Sequence, residues 1–253
     1  MILNYNHTEI YYKLEGQGPT IVLLHGFLAS STMWEEFIPK IAKSKTILVI
    51  DLPGHGKSGC LSETHSMELM AEVLQSILEK HEINSVSIIG YSMGGYVALA
   101  FVELYNHKID KLVLLNSTPA KDSEERRHNR DRALKVIARN PKAFISMAIS
   151  NLFVKSTQYQ YDLEIQKMKK EANTLPIEGI NAAIRGMKNR KDRNFVLKKF
   201  SKEKLMICAI NDPLISYEVS KSLALQTNTE LRTVSGGHMS LVEKFDEIVK
   251  ICV

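Results

Sequence analysis

Cysteine is scarce. The 253 residues include three, Cys60, Cys208 and Cys252, widely spaced and without a C-x-x-C pair. An odd number at such spacing supports neither a disulfide framework nor a zinc knuckle, so a reducing, cytoplasmic setting is expected. Nowhere do about 18 apolar residues follow one another, and Met1–Tyr12 lacks a basic stretch leading into an apolar run and a small-residue cleavage site. Neither a membrane span nor secretion is therefore expected. A large excess of one charge is also missing: 33 Lys+Arg stand against 28 Asp+Glu, a net +5. Without any nucleic-acid-binding signature, so mild an excess does not point to RNA or DNA. Low-complexity tracts and internal repeats are absent too.

What is present has the composition of a globular protein, with 44% hydrophobic and 24% charged residues. The length fits one large domain or a domain carrying an insertion. The charge is unevenly spread. Between Pro119 and Phe200 there are 19 basic and 9 acidic residues, a balance of +10, which leaves the remainder of the chain at −5. The patterning changes at the same positions. On either side lie short runs rich in Val, Ile and Leu, and between them lie helical periodicities with scattered charge. The expected organisation is a core made of residues 1–118 and 201–253, with a helical insertion over 119–200.

Within the core, apolar runs expected as strands (Ile10–Leu14, Thr20–His25, Thr46–Asp51, Val86–Gly90, Lys111–Leu115, Lys204–Ile210, Glu230–Val234) alternate with helical patterns. The latter cover Met33–Ala42, Met67–Lys80, Tyr96–Tyr105, Tyr217–Leu225 and Val242–Cys252. Such alternation implies the α/β class, a mostly parallel sheet flanked by helices. Ligand chemistry is then expected just beyond the carboxyl ends of the strands.

The strongest signal is Gly90-Tyr91-Ser92-Met93-Gly94-Gly95, a G-x-S-x-G at a strand-to-helix turn. Its sharp bend lifts the serine hydroxyl above the sheet edge, which makes Ser92 the candidate nucleophile. A serine needs a base, usually a neutral imidazole. His25, His55 and His238 lie in glycine-containing loops at strand ends, and His238, in Ser235-Gly236-Gly237-His238-Met239, is the one that follows both serine and acid in the chain. A carboxylate must fix the imidazole's tautomer. Asp212, in Asn211-Asp212-Pro213 after the run ending at Ile210, fits the chain order serine, acid, histidine. Asp-Pro also starts turns, and Glu243 is a competing acid, five residues after His238 on the last helix. Two backbone N–H groups must meet the developing oxyanion. Met93 is one candidate, and Phe27, in the His25-Gly26-Phe27-Leu28 loop, is the other.

Taken together, these residues and Asp51-Leu52-Pro53-Gly54-His55-Gly56-Lys57-Ser58 resemble the α/β-hydrolase fold superfamily over nearly the whole chain. The resemblance implies an eight-stranded sheet with one antiparallel strand, a helical cap after the sixth strand, and no metal or organic cofactor. It also implies that His55 is structural and Asp51 non-catalytic. Hydrolysis of a small carboxylic ester or thioester is the first expectation. The elbow is similar to that of the menaquinone-pathway synthase family, a lyase on an anionic substrate, but Tyr96 stands where that family has arginine. Cap arginines such as Arg126, Arg127 or Arg130 are possible substitutes for it. A proline-type aminopeptidase is disfavoured by the basic insertion, and the aspartate-nucleophile dehalogenases and epoxide hydrolases are disfavoured by Ser92. A non-catalytic ligand sensor is the alternative from another class. For substrate contacts the candidates are His25, Tyr91, Phe144 and Phe153, with Met147, Ile149, Leu152 and Met187 as further apolar residues of the insertion. Oligomeric state is left open by the sequence.

Overall fold

A computed structural model describes residues 1–252. Eight strands form one sheet: β1 (Ile2–Tyr5), β2 (Thr8–Gly16), β3 (Thr20–Leu24), β4 (Thr46–Ile50), β5 (Val86–Tyr91), β6 (Ile109–Leu115), β7 (Glu203–Ala209) and β8 (Glu230–Val234). Their spatial order is β1-β2-β4-β3-β5-β6-β7-β8. β2 pairs antiparallel with both β1 and β4, and all remaining pairs are parallel, so β2 alone runs against the rest. The central strands are almost continuous Val, Ile and Leu because helices cover both of their faces. Val22, Leu24, Leu48, Ile50, Ile88, Leu112, Leu114 and Ile207 are all fully buried.

The helices are α1 (Ile38–Ile41), α2 (Met67–Lys80), α3 (Met93–Tyr105), α4 (Glu124–Arg139), α5 (Pro141–Ser150), α6 (Asp162–Ala172), α7 (Ile177–Lys188), α8 (Asn194–Lys199), α9 (Tyr217–Thr227), α10 (Ser240–Glu243) and α11 (Phe245–Cys252). None is long and apolar enough to cross a membrane among the described residues. Start signals are local: the hydroxyls of Ser66 and Ser123 accept from the N–H groups of Leu69 and Arg126 and so cap α2 and α4. α3, buried along most of its length, packs behind β5 and fixes the serine turn from below.

Three local readings of the sequence needed correction. The helix expected over Met33–Ala42 is a 3-10 turn at Ser31–Trp34 followed by the single turn of α1. Buried Trp34 and Phe37, three apart, suit the tighter turn, and Pro39 can stand only where a helix begins. The last helix is broken into α10 and α11 at Lys244, whose φ of −137° leaves the helical region. β1 went unread, being four residues long and only half buried. It joins β2 through Asn6 and His7, both at positive φ, as a two-residue hairpin loop requires.

α4 to α8 all lie between β6 and β7 in the chain, and α7 settles on the loop before α2. Gly179 and Gly54 allow the contact, since a Cβ on Gly179 would come within 2.7 Å of the Gly54 Cα. The N–H of His65 donates to the Ala182 carbonyl at 3.0 Å. Buried Arg193 ties the end of this segment to the core through Glu68 (2.7 Å) and Glu103 (2.9 Å). Two carboxylates on one guanidinium satisfy a charge that would be costly to bury alone.

Candidate active site

Ser92 follows β5 with φ 49° and ψ −112°, a backbone conformation strained for a residue with a side chain and worth about 1–3 kcal/mol. Neighbours hold the bend in place. The Ser92 N–H donates to the Leu115 carbonyl (2.9 Å), and its own carbonyl accepts from the Ser117 hydroxyl (2.8 Å) and the Gly95 N–H (3.0 Å). Glycine at 90 is a packing requirement, because a Cβ there would lie 2.6 Å from the Gly94 carbonyl oxygen.

Strand ends bring Ser92, His238 and Asp212 together. His238 Nε2 lies 2.8 Å from Ser92 Oγ, and its Nδ1 lies 2.7 Å from Asp212 Oδ2. With a carboxylate on Nδ1, that nitrogen carries the proton and Nε2 is free to accept from the serine. The His238 and Asp212 side chains are each 2% exposed. Burial alone would raise the Asp212 carboxyl, but the His238 imidazole, the Leu214 N–H and Asn116 outweigh it and hold the group below its ordinary value. Glu243 points elsewhere: its Oε2 accepts from the Gly237 N–H at 2.6 Å and so steadies the loop that carries His238.

The N–H groups of Phe27 and Met93 meet no backbone or side-chain acceptor among the described residues. Leu28, at φ 60°, turns the chain sharply just after Phe27.

Two further residues support this array, Asn116, which sequence reasoning passed over, and Glu243, read there only as a competing acid. Asn116, directly after β6 at φ 45°, donates from Nδ2 to Asp212 Oδ2 (3.1 Å) and to the Gly237 carbonyl (3.4 Å), and accepts from the Ser240 hydroxyl (2.5 Å). The second is Glu243 in its loop-holding role. Asn116 occupies a strand end, the same signal that singled out Ser92, Asp212 and His238.

A cavity of about 440 Å³ opens over Ser92 and His238, with Phe27, Leu28, Tyr91 and Tyr96 on the core side. Phe144, Ile149, Leu152 and Met187 line it from the helical segment, and so do Arg126 and Arg130, but not Arg127. A second chamber of about 250 Å³ shares Phe27, Leu28, Tyr91 and Leu152 with the first.

Three of the residues expected to touch substrate lie elsewhere. His25 is fully buried behind the loop, its Nδ1 donating to the Gly26 carbonyl (2.8 Å) and its Nε2 accepting from the Leu52 N–H (2.9 Å). Phe153 is 1% exposed and packs on the Tyr161 ring, and Met147 faces solvent. Tyr91 lines the cavity with its ring, while its hydroxyl donates to the His238 carbonyl at 3.1 Å. Burial, with Asp212 and Glu243 nearby, raises that phenol well above its ordinary value, so it stays a donor. No cluster of three or more metal-ligating side chains occurs among the described residues.

The family model for the alpha/beta hydrolase fold matches residues 19–245. An uncharacterised protein of Mycobacterium tuberculosis is 33% identical over 106 residues, 42% of this chain and 31% of that one. A pimeloyl-[acyl-carrier protein] methyl ester esterase of Vibrio vulnificus is 33% identical over 119 residues, 47% of this chain and 45% of that enzyme. The chain thus matches less than half the length of either relative. Among solved structures, a thermophilic esterase from Thermogutta terrifontis superposes with a TM-score of 0.90 at 27% identity, covering 97% of this chain and 92% of that one.

Proposed function

The chain belongs to the alpha/beta hydrolase fold family, and from that premise we propose that it is a serine hydrolase cleaving a small carboxylic ester or thioester through an acyl-Ser92 intermediate. The observation that carries this reading is the continuous hydrogen-bonded line from Ser92 Oγ through His238 to Asp212 at 2.8 and 2.7 Å. Similarity to esterases in sequence and in structure supports it.

In the first half-reaction Ser92 Oγ bonds to the substrate carbonyl carbon while His238 Nε2 takes its proton. The carbonyl π pair moves onto oxygen, where the N–H groups of Phe27 and Met93 stabilise it. Each such donor is worth about 3–4 kcal/mol in the transition state. Collapse breaks the bond to the alkoxide or thiolate, which leaves with the proton from His238. In the second half-reaction water gives its proton to His238, attacks the acyl carbon and releases the acid and free Ser92. Asp212 stays ionised throughout, balancing the imidazolium and holding the ring. The two chambers meeting at Phe27, Leu28, Tyr91 and Leu152 suit a substrate with a group on each side of its scissile bond.

Fluorophosphonate labelling followed by peptide mapping tests the nucleophile, and p-nitrophenyl butyrate tests turnover. Label on the Ser92 peptide is expected, with Ser92→Ala and His238→Ala each lowering kcat by about 10⁴-fold or more. Wild-type turnover no faster than that of Ser92→Ala would make the protein a ligand sensor instead.

A further inference from the structure

The face that α4 turns toward the main chamber is unusual for a covering helix. Arg126, Asn129, Arg130 and Ala133, spaced as one helical stripe, line the chamber, where an apolar stripe is the rule. Behind them sits Asp122, its side chain fully buried, with three guanidinium groups around it. Arg130 Nε and Arg190 Nη1 each lie 2.6 Å from its carboxylate, and Arg126 Nε lies 3.5 Å away. One carboxylate cannot neutralise three cations. Arg190 is otherwise satisfied by the Ala120 and Met187 carbonyls and by the Tyr96 ring, 4.1 Å beneath it. Arg126 spends Nη1 on the Leu214 carbonyl (2.8 Å). The two Nη atoms of Arg130 and Nη2 of Arg126 have no acceptor among the described residues. Glu125 borders the same chamber, and the group of three arginines and two acids still carries an excess of +1.

Charge in the second chamber is of the other sign. Glu35, Glu36, Glu164 and Glu171 border it, against Lys167 alone. An anion is therefore drawn to the main chamber and repelled from the second.

We propose that the substrate cleaved at Ser92 carries a carboxylate remote from its scissile carbonyl, and that Arg130 and Arg126 bind it in the main chamber. The proposal rests on the serine hydrolase reading and narrows it to half-esters of dicarboxylic acids and their thioester counterparts. Guanidinium donors match a planar carboxylate with two parallel hydrogen bonds, which a neutral chain end does not offer. Asp122 holds the Arg130 fork in place so that little side-chain freedom is lost on binding.

The test compares monomethyl esters of C4–C10 dicarboxylic acids with methyl esters of monocarboxylic acids of equal length, by pH-stat. At the best chain length, kcat/KM is expected to favour the half-ester by about tenfold or more, the worth of a charged hydrogen-bonded pair. Arg130→Gln and Arg126→Gln should each shrink that ratio, and Arg130→Lys should keep part of it. A wild-type ratio near one, or a preference unchanged in both glutamine variants, overturns the proposal. A calorimetric titration of Ser92→Ala protein with the free dicarboxylates separates this outcome from failure of the parent reading. Diacid binding that disappears in Ser92→Ala/Arg130→Gln upholds the carboxylate site even if no ester is turned over. Ester turnover without any diacid binding overturns the carboxylate site and leaves the hydrolase reading standing.

Discussion

Lowering the pH from 6.5 to 4.5 should strip this protein of much of its stability, because three buried histidines are locked in the neutral form. His25, His55 and His65 are each fully buried. The hydrogen bonds explain the lock. His25 Nε2 accepts from the Leu52 N–H and His65 Nε2 from the Leu61 N–H, so a proton on either nitrogen would break a bond already made. His55 donates from Nδ1 to the Pro53 carbonyl, and its Nε2 faces no partner. Its ring lies 5.2 Å from that of His25, so charging both would add repulsion. Burial lowers the His25 pKa, takes His65 down to about 4, and, with His25 beside it, takes His55 down to about 3. In the unfolded chain each titrates near 6.5. Between those values the unfolded state binds more protons than the native one, so stability is present above pH 6.5 and is lost as the pH falls toward 4 and then 3. For His55 and His65 together the loss at pH 4.5 is about 5 kcal/mol, with a slope approaching about 1.4 kcal/mol per pH unit for each. That is comparable with the whole stability of many domains, about 5–15 kcal/mol. Urea denaturation at half-unit steps from pH 7 to 4.5 measures it. His65→Gln, whose side-chain oxygen can still accept from Leu61, should remove one proton from the slope. A flat profile from pH 6.5 to 5, or an unchanged slope in His65→Gln, would refute the reasoning.

Asn116→Ala is expected to lower kcat about 10- to 100-fold with KM little changed, measured on p-nitrophenyl butyrate, because Asp212 and the Gly237 carbonyl lose a shared donor. Glu243→Leu strips the buried Gly237 N–H of its acceptor and should cost about 1–3 kcal/mol in urea melts, with a parallel fall in kcat as the His238 loop loosens. Gly179→Ala pushes a methyl group into the Gly54 backbone, so a loss of about 1–3 kcal/mol, or a Tm lower by several degrees in calorimetry, is expected.

The fold was legible because it is written in long-period alternation. Buried parallel strands must be continuous apolar runs, and the helices between them must show one apolar stripe. Short elements lacked that support. The one-turn α1 and the four-residue β1 owe their existence to Trp34, Phe37 and the Asn6-His7 turn more than to any periodicity. Ser92, Asp212 and His238 could be picked out from afar because each directly follows an apolar run, and such positions share one sheet edge. Asn116 obeys the same rule, yet an asparagine there announces no chemistry until its partners are seen. His25 and Phe153 illustrate the opposite failure. A histidine after a strand and a phenylalanine in a helical insertion read as pocket residues, but burial depends on neighbours far away in the chain.

The loop bearing His238 is fastened on both sides. Tyr91 grips its carbonyl from the core, while the Met239 N–H donates to the Leu152 carbonyl (3.0 Å) and Glu243 spans from the Gly237 N–H to the Val154 N–H (2.6 and 3.5 Å). His238 is thus seated partly on the segment that shapes the pocket. Grafting a foreign stretch in place of α4–α8 to alter selectivity would unseat it, unless the graft reproduces one carbonyl and one amide at the positions of Leu152 and Val154. Redesign of this protein's preferences is therefore better pursued by single exchanges along α4 than by wholesale replacement.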